Sequence, residues 1–98
     1  MTYLIQQTDT FAHWHGALRD LRARIAIARR IDRAAAGNLG DVKPVGEGVA
    51  EMRVNVGPGY RLYFTRRGEM LILLLCGGDK SSQSRDIALA KRLAGEIE

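Results

Sequence analysis

Cysteine is nearly absent from this 98-residue chain, because Cys76 is the only one. No disulfide can form within the chain, and a reducing compartment such as the cytoplasm is the expected location. One thiol and two histidines also supply few of the ligands that a dedicated metal site uses. We therefore expect a protein that holds neither a metal nor a cofactor.

Long apolar runs are missing as well. The longest, residues 70–76, has the length of a strand and falls far short of the roughly 20 residues that a membrane-spanning helix needs. The first ten residues lack a basic segment followed by an apolar core, so we expect no export signal and no membrane partner. A chain of this length has little room for a second core, which predicts one domain over residues 1–98.

Positive charge is in excess. Lys and Arg number 15 against 11 Asp and Glu, and twelve of the fifteen are arginine. The planar guanidinium suits phosphate better than the point charge of lysine does. This balance favours a polyanion or an acidic protein as partner, and it fits equally well a basic protein that binds neither.

The N-terminal half predicts a strand and two helices. Residues 2–8 are rich in β-branched and aromatic types, and a short helix is expected from near Phe11 to Gly16. Over residues 18–36, apolar residues recur at spacings of three and four, which predicts a second helix. Residues 37–48 hold four glycines and one proline and predict a connection without an element of its own.

The inner stripe of the second predicted helix includes Leu21, Ile25 and Ile31, and its arginines lie largely off that stripe. They are therefore expected on a solvated face.

The C-terminal half changes to an alternation of period two. It predicts three strands, over residues 49–56, 60–65 and 70–76, and then a helix that begins near Gln83 or Ser84. The fold class is α+β, with an antiparallel sheet of about four strands and two N-terminal helices on one face. The first strand is expected at an edge of the sheet, and a C-terminal helix completes the domain.

Strand alternation puts a group of polar side chains on one open face of the sheet, namely Glu51, Arg53, Arg61 and Tyr63. In a regular hairpin Arg53 lies roughly opposite Tyr63. Arginines bind phosphate bidentately and stabilise extra charge on a phosphorane-like transition state. A tyrosine can stack on a base, or transfer a proton if cations lower its pKa from about 10. The same residues also suit a solvated face, where cross-strand pairs contribute little.

Other basic residues are secondary candidates for contacts with RNA. Lys43 lies in the glycine-rich connection and could reach the sheet face. Lys80 and Arg85 flank the start of the last helix, where the helix N-terminus attracts anions. Arg22 and Arg29 of the second helix can meet backbone phosphates. The simpler interpretation of each is an ordinary solvated side chain, and at the start of the last helix Asp79 or Ser82 then acts only as a helix cap.

Three segments, taken in order, resemble a known protein family. They are GNLGDVKPVGEGVAEMRV (37–54), GPGYRLYF (57–64) and LLLCGGDKSSQSRDI (73–87). With them the chain resembles the RelE/ParE superfamily of type II toxin–antitoxin toxins, and within it the HigB-like (phage Gp49-like) addiction module killer proteins. The match runs in order from about residue 11 to residue 94, which makes it more specific than any single segment.

The resemblance implies a RelE-like fold and a bacterial or phage-borne toxin that a separate helix-turn-helix antitoxin neutralises. In the RelE and HigB branches it further implies metal-independent cleavage of mRNA on the ribosome, in which the RNA 2′-OH attacks its adjacent phosphate. The expected partners are then mRNA, the ribosome and the antitoxin. The ParE branch offers a different activity, the inhibition of DNA gyrase without cleavage. A module that binds only its antitoxin is a third hypothesis.

The resemblance also assigns particular residues. The glycine, tyrosine and arginine of RelE-like toxins match Gly59, Tyr60 and Arg61, which makes Arg61 the implied phosphate ligand. The basic residue that follows their last strand matches Lys80 approximately.

The chain departs from the family at the residues that transfer protons. Where the RelE branch has two lysines before the hairpin, only Arg53 is basic, and the branch's C-terminal tyrosine falls near Ile87. Both histidines lie in the first predicted helix, so the HigB histidine has no clear counterpart either. Arg53 joins the catalytic candidates, and Tyr63, Glu51 and Lys43 are substitutes proposed on geometry alone.

Overall fold

The computed structural model of the chain describes residues 2–97 and has a mixed α+β architecture. Its strands form one sheet in the order β1-β5-β4-β3-β2. A single 3-10 turn over Lys80–Ser82 leads into the last helix. The elements in chain order are β1 (Leu4–Gln7), α1 (Asp9–Ala17), α2 (Leu21–Ala35), β2 (Val42–Gly46), β3 (Val49–Val54), β4 (Tyr60–Arg67), β5 (Leu71–Asp79) and α3 (Gln83–Glu96).

The sheet has five strands, so the prediction of about four is wrong. The additional strand, β2, lies in the glycine-rich stretch that was expected to be a plain connection. It pairs antiparallel with β3, with Lys43 opposite Glu51, and its register shifts between Pro44 and Gly46. Because β2 is at the edge of the sheet, Pro44 can lie in it although it offers no N–H.

The first strand lies at the other edge of the sheet, as the sequence predicts. It pairs with β5 in parallel, with Leu4 opposite Leu71, whereas the remaining strands pair antiparallel. The sheet is therefore mixed, and the expectation of a purely antiparallel sheet is wrong. A parallel pair needs a long crossover between its strands, and here most of the chain lies between β1 and β5.

Two apolar cores lie on opposite faces of the sheet. Met52, Leu62 and Phe64 pack in one core with Phe11 of α1 and Ile27 of α2, as the strand alternation predicts. The second core is built around Tyr63, Leu73, Leu75 and Ala90, where α3 covers the sheet. The face that was expected to be open is therefore partly covered by the C-terminal helix.

Polar side chains fix the beginnings of the two N-terminal helices. Thr8 caps α1 by accepting the Phe11 N–H at 3.0 Å, and its hydroxyl donates to the Leu75 carbonyl of β5 at 2.6 Å. Asp20 accepts the Arg22 N–H at 3.0 Å, so α2 begins three residues later than its apolar pattern indicates. Within residues 2–97, no helix combines the length and the apolar character that a membrane span requires.

The rotation of α2 differs from the prediction. Its buried positions are Ala23, Ile27, Arg30 and Ala34. Leu21 and Ile25 of the expected inner stripe are 61% and 44% exposed. Both sets recur at helical spacing, so the period alone does not choose between them.

A glycine on β5 makes room for an aromatic side chain of α1. A Cβ placed on Gly77 would overlap the Trp14 ring. That ring is held from two sides, since its centroid lies 5.7 Å from that of Phe11 and 6.2 Å from that of Tyr60. The close approach of α1 to β5 therefore requires glycine at this position.

We expect Gly77→Ala to lower the free energy of unfolding by about 1–3 kcal/mol, because the added methyl group must displace the packed Trp14 ring. Urea denaturation measures the change. Gly95→Ala is the matched control, because Gly95 lies in α3 with open space where the methyl group would be added, and it should be neutral or slightly stabilising. Equal stability of the two variants would contradict this account.

Candidate nucleic-acid interface

Two arginines face each other on the central hairpin. Arg53 of β3 is the direct partner of Arg61 on β4, and Glu51 is the partner of Tyr63. The prediction that Arg53 lies opposite Tyr63 is wrong, because pairing ends at Val54 and the turn takes in residues 55–59 instead of the three residues 57–59. Both arginines nonetheless lie on the same face of the sheet, as the alternation predicts.

A buried carboxylate holds this pair of arginines. Glu51 is 1% exposed. Its Oε2 accepts a hydrogen bond from Arg53 Nε at 3.1 Å, and Arg61 Nε lies 3.0 Å from the same oxygen. The Arg61 contact is an ion pair without hydrogen-bond alignment. Glu51 Oε1 accepts from Gln83 Nε2 at 3.0 Å, which ties the start of α3 to the hairpin.

The arginine pair keeps donors for a ligand. A guanidinium carries five N–H donors, and each contact with Glu51 is made through Nε alone. The Arg53 side chain is 30% exposed and that of Arg61 is 12% exposed. Arg61 Nη1 lies beside the hairpin turn, 3.9 Å from where a Cβ on Gly59 would be. The two groups are thus held together at a partly exposed surface that a phosphate oxygen can approach.

Tyr63 is fully buried, so the prediction that it faces an open surface is wrong. Its hydroxyl has no hydrogen-bond partner within residues 2–97. Burial, and then the nearby Glu51 carboxylate, raise the pKa of Tyr63 far above its ordinary value of 10.0. A tyrosine in this state neither stacks on a base nor exchanges a proton with a ligand at the surface. Glu51 is equally inaccessible, and its role is to position the arginines.

Lys80 lies close to the arginine pair through the backbone. Its N–H donates to the Gly59 carbonyl at 2.9 Å, and its side chain is exposed. Asp79 caps the 3-10 turn by accepting hydrogen bonds from the Ser81 hydroxyl and, at 2.8 Å, from the Ser81 N–H. The hydroxyl first, and then the N–H, lower the pKa of Asp79. Arg85 is exposed at the first turn of α3. Residues 80–85 line a shallow hollow of about 510 Å³.

The remaining basic candidates divide between the two faces of the sheet. Lys43 is exposed on β2 and shares the face of Glu51, its direct partner, so it lies in a strand and not in a loop. Arg22 and Arg29 are exposed on α2, which packs against the opposite face. The structure therefore brings Lys43, Lys80 and Arg85 to the side of the arginine pair. Arg22 and Arg29 lie on the opposite side, although Arg29 lines a hollow together with Arg53.

Two polar residues that the structure places at these sites, Gln83 and Arg30, were not identified from the sequence. Gln83 carried no signal, because its contact with Glu51 spans 32 positions of the chain. Arg30 had a signal, since it follows Ile27 by three residues and precedes Ala34 by four on the buried stripe of α2. Among the described residues, no three His, Cys, Asp or Glu side chains are grouped to hold a metal ion.

Comparison with known proteins finds a relative that aligns with nearly the whole chain. No protein-family model matches the chain. A Haemophilus influenzae (strain ATCC 51907 / DSM 11121 / KW20 / Rd) protein, named "Uncharacterized protein", is 47% identical over 97 residues. The alignment covers 99% of this chain and 98% of that protein. The chain belongs to the family of this Haemophilus protein. The name of this relative states no activity.

Cys76 lies in a protected position next to α3. It is 1% exposed, and its Sγ donates to the Asp86 carbonyl at 3.5 Å. Burial first, and then the Asp86 carboxylate, raise the pKa of this thiol from 9.0 to about 12. The thiol therefore stays protonated at neutral pH and is a poor nucleophile.

We expect Glu51→Gln to lower the free energy of unfolding by about 2 kcal/mol, because the neutral amide no longer balances two arginines in a buried position. Chemical denaturation measures the change. Glu69→Gln, at an exposed turn, is the matched control and should change stability by less than about 0.5 kcal/mol. Equal effects of the two substitutions would refute a structural role for the Glu51 carboxylate.

The raised pKa of Cys76 predicts that the free energy of unfolding depends on pH above about pH 9. The unfolded thiol ionises near pH 9.0, while the folded thiol keeps its proton to about pH 12. The folded chain then binds more protons in that window, so the free energy of unfolding falls as pH rises, by up to about 1.4 kcal/mol per pH unit. Denaturation of wild type and Cys76→Ala between about pH 8 and pH 10.5 should give a shallower decline for the variant. Parallel curves would contradict the prediction.

Proposed function

We propose that the chain is a HigB-like toxin of the RelE/ParE superfamily in a type II toxin–antitoxin system. In this proposal it is a metal-independent, ribosome-dependent mRNA endonuclease that inhibits translation in the bacterial cytoplasm. Support comes from the three ordered sequence segments and from the basic residues gathered around the β3–β4 hairpin.

The observation that carries the proposal is the arginine pair held by Glu51. Arg53 and Arg61 lie opposite each other, and one buried carboxylate fixes the direction of both guanidinium groups. Cations positioned in advance stabilise the charge that builds up on a phosphate without reorganising during the reaction. This suits the attack of a 2′-OH on its adjacent phosphorus. The hydroxyl gives up its proton to solvent, the new O2′–P bond forms a 2′,3′-cyclic phosphate, and the P–O5′ bond breaks.

Fewer residues can transfer protons in this proposal than the sequence predicts. Tyr63 and Glu51 are buried and cannot exchange protons with RNA at the surface. Lys80 is exposed beside the hairpin turn, which suits it to give a proton to the leaving oxygen. Lys43 and Arg85 share this side of the molecule and extend the basic surface along which an RNA strand would run.

Primer extension on ribosome-bound mRNA tests the proposal. We expect wild type to create new 3′ ends and Arg61→Ala to reduce cleavage by about 100-fold, since a phosphate ligand is lost. Arg92→Ala is the matched control, because Arg92 is exposed on α3 and should leave cleavage unchanged. Circular dichroism confirms folding of both variants. No cleavage by wild type, or equal cleavage by wild type and Arg61→Ala, would refute the assignment.

A second candidate function is the inhibition of DNA gyrase without RNA cleavage, and the burial of two side chains favours it. Two of the three side chains that were substitutes for proton-transfer groups, Tyr63 and Glu51, are buried, and only Lys43 is exposed. That arrangement favours binding without chemistry and fits a ParE-like inhibitor of DNA gyrase. This alternative predicts blocked supercoiling and intact mRNA in the same preparation.

The proposed protein partner is a separate helix-turn-helix antitoxin with an acidic or amphipathic segment. The excess of positive charge on this chain favours such a partner. Expression of the chain alone should slow growth, and co-expression of the antitoxin should restore it. Normal growth without an antitoxin would instead indicate a module that serves only for binding.

A further inference from the structure

A second concentration of positive charge lies between α2 and the end of β3. It surrounds a hollow of about 510 Å³ that is separate from the one at the start of α3. Four arginines and a single carboxylate line it: Arg29, Arg30, Arg33, Arg53 and Asp41. Arg53 already has Glu51 as its counter-ion, so the charges contributed by α2 outnumber the remaining carboxylate.

Arg30 is the unusual member of this group. It is only 7% exposed, although arginine is rarely buried without a charged partner. Its Nη2 donates to the Asp41 carbonyl at 3.3 Å, and its Nη1 is buried without a hydrogen-bond partner within residues 2–97. Within the same residues, no carboxylate lies within 4.0 Å of this guanidinium. A buried charge in this state is costly unless an anion compensates it.

The backbone is shaped around this side chain. Gly40 has a φ of +67°, and a Cβ there would lie 2.5 Å from Arg30 Nη2 and 2.6 Å from Arg30 Nη1. Glycine at this position therefore lets the chain pass directly over the guanidinium. Burial, and next the neighbouring Arg33, lower the pKa of Arg30, and Asp41 offsets only part of this lowering. On balance the surroundings disfavour the cation that they enclose, and a bound anion would favour it.

We propose that this hollow binds a phosphate group, with Arg30 as its buried charge and with the exposed Arg29 and Arg33 at its mouth. Arginine favours phosphate, because its planar donors match phosphate oxygens in pairs. This phosphate site does not depend on whether the chain cleaves RNA. The phosphate group belongs either to a free phosphate or nucleotide, or to the backbone of a bound RNA strand.

Thermal unfolding with added inorganic phosphate tests the site at constant ionic strength held with KCl. A ligand that binds only the folded state raises the unfolding temperature, by an amount that grows with the logarithm of its concentration once that exceeds the Kd. The double variant Arg29→Gln/Arg33→Gln should weaken the apparent phosphate affinity at least about tenfold. Both residues are exposed, so the variant should fold, whereas a change at Arg30 risks the packing of α2.

Arg92→Gln is the matched control and should respond to phosphate as the wild type does. The backbone amide NMR signals of Gly40 and Asp41 should shift on phosphate addition in the wild type. The proposal is overturned if phosphate raises the unfolding temperature no more than KCl does. It is overturned equally if the double variant keeps the wild-type response.

A short single-stranded RNA then identifies the source of the phosphate group. If the site holds the RNA backbone, the double variant should bind this RNA about tenfold more weakly than Arg92→Gln does, and inorganic phosphate should compete. If the site holds a free phosphate or nucleotide, the double variant and the control should bind the RNA equally while the phosphate response differs. Both results support the site, and they are independent of whether mRNA is cleaved.

Discussion

One buried carboxylate determines the arrangement of the candidate interface. Glu51 is almost wholly enclosed, and a carboxylate in that position must be paired and hydrogen-bonded to be tolerated. Its partners come from three elements: Arg53 on its own strand, Arg61 on β4 and Gln83 at the start of α3. The hairpin, the C-terminal helix and the direction of the two guanidinium groups are therefore fixed by the same contact.

The sequence predicted the side of the sheet on which each hairpin residue lies, and this part is confirmed. Met52 and Leu62 pack under the N-terminal helices, and Arg53 shares the other face with Arg61. It did not predict what covers that face. Alternation is a local property of a strand, whereas the burial of Tyr63 depends on α3, which follows much later in the chain. Local patterns therefore predicted the position of the two arginines correctly, but they wrongly predicted that Glu51 and Tyr63 are exposed.

Two other predictions, for residues 37–48 and for the buried face of α2, are wrong because the local sequence pattern fits two structures equally well. Residues 37–48 contain glycine and proline, which favour a loop, yet an edge strand tolerates both. On α2, two apolar stripes have helical spacing, and the one that contains Ala23 and Ile27 is buried. Arg30 belongs to that stripe and is therefore enclosed when the stripe faces the core. The uncompensated guanidinium is thus a consequence of packing that the composition of α2 does not reveal.

The central claim, that Glu51 directs both arginines, is tested most directly by NMR of the arginine Nε–H groups. The account predicts that the Nε–H signals of Arg53 and Arg61 are resolved from those of exposed arginines and exchange slowly with water. It also predicts that both signals move toward the exposed group in Glu51→Gln. Signals that overlap those of exposed arginines in the wild type, and that do not change in Glu51→Gln, would contradict it.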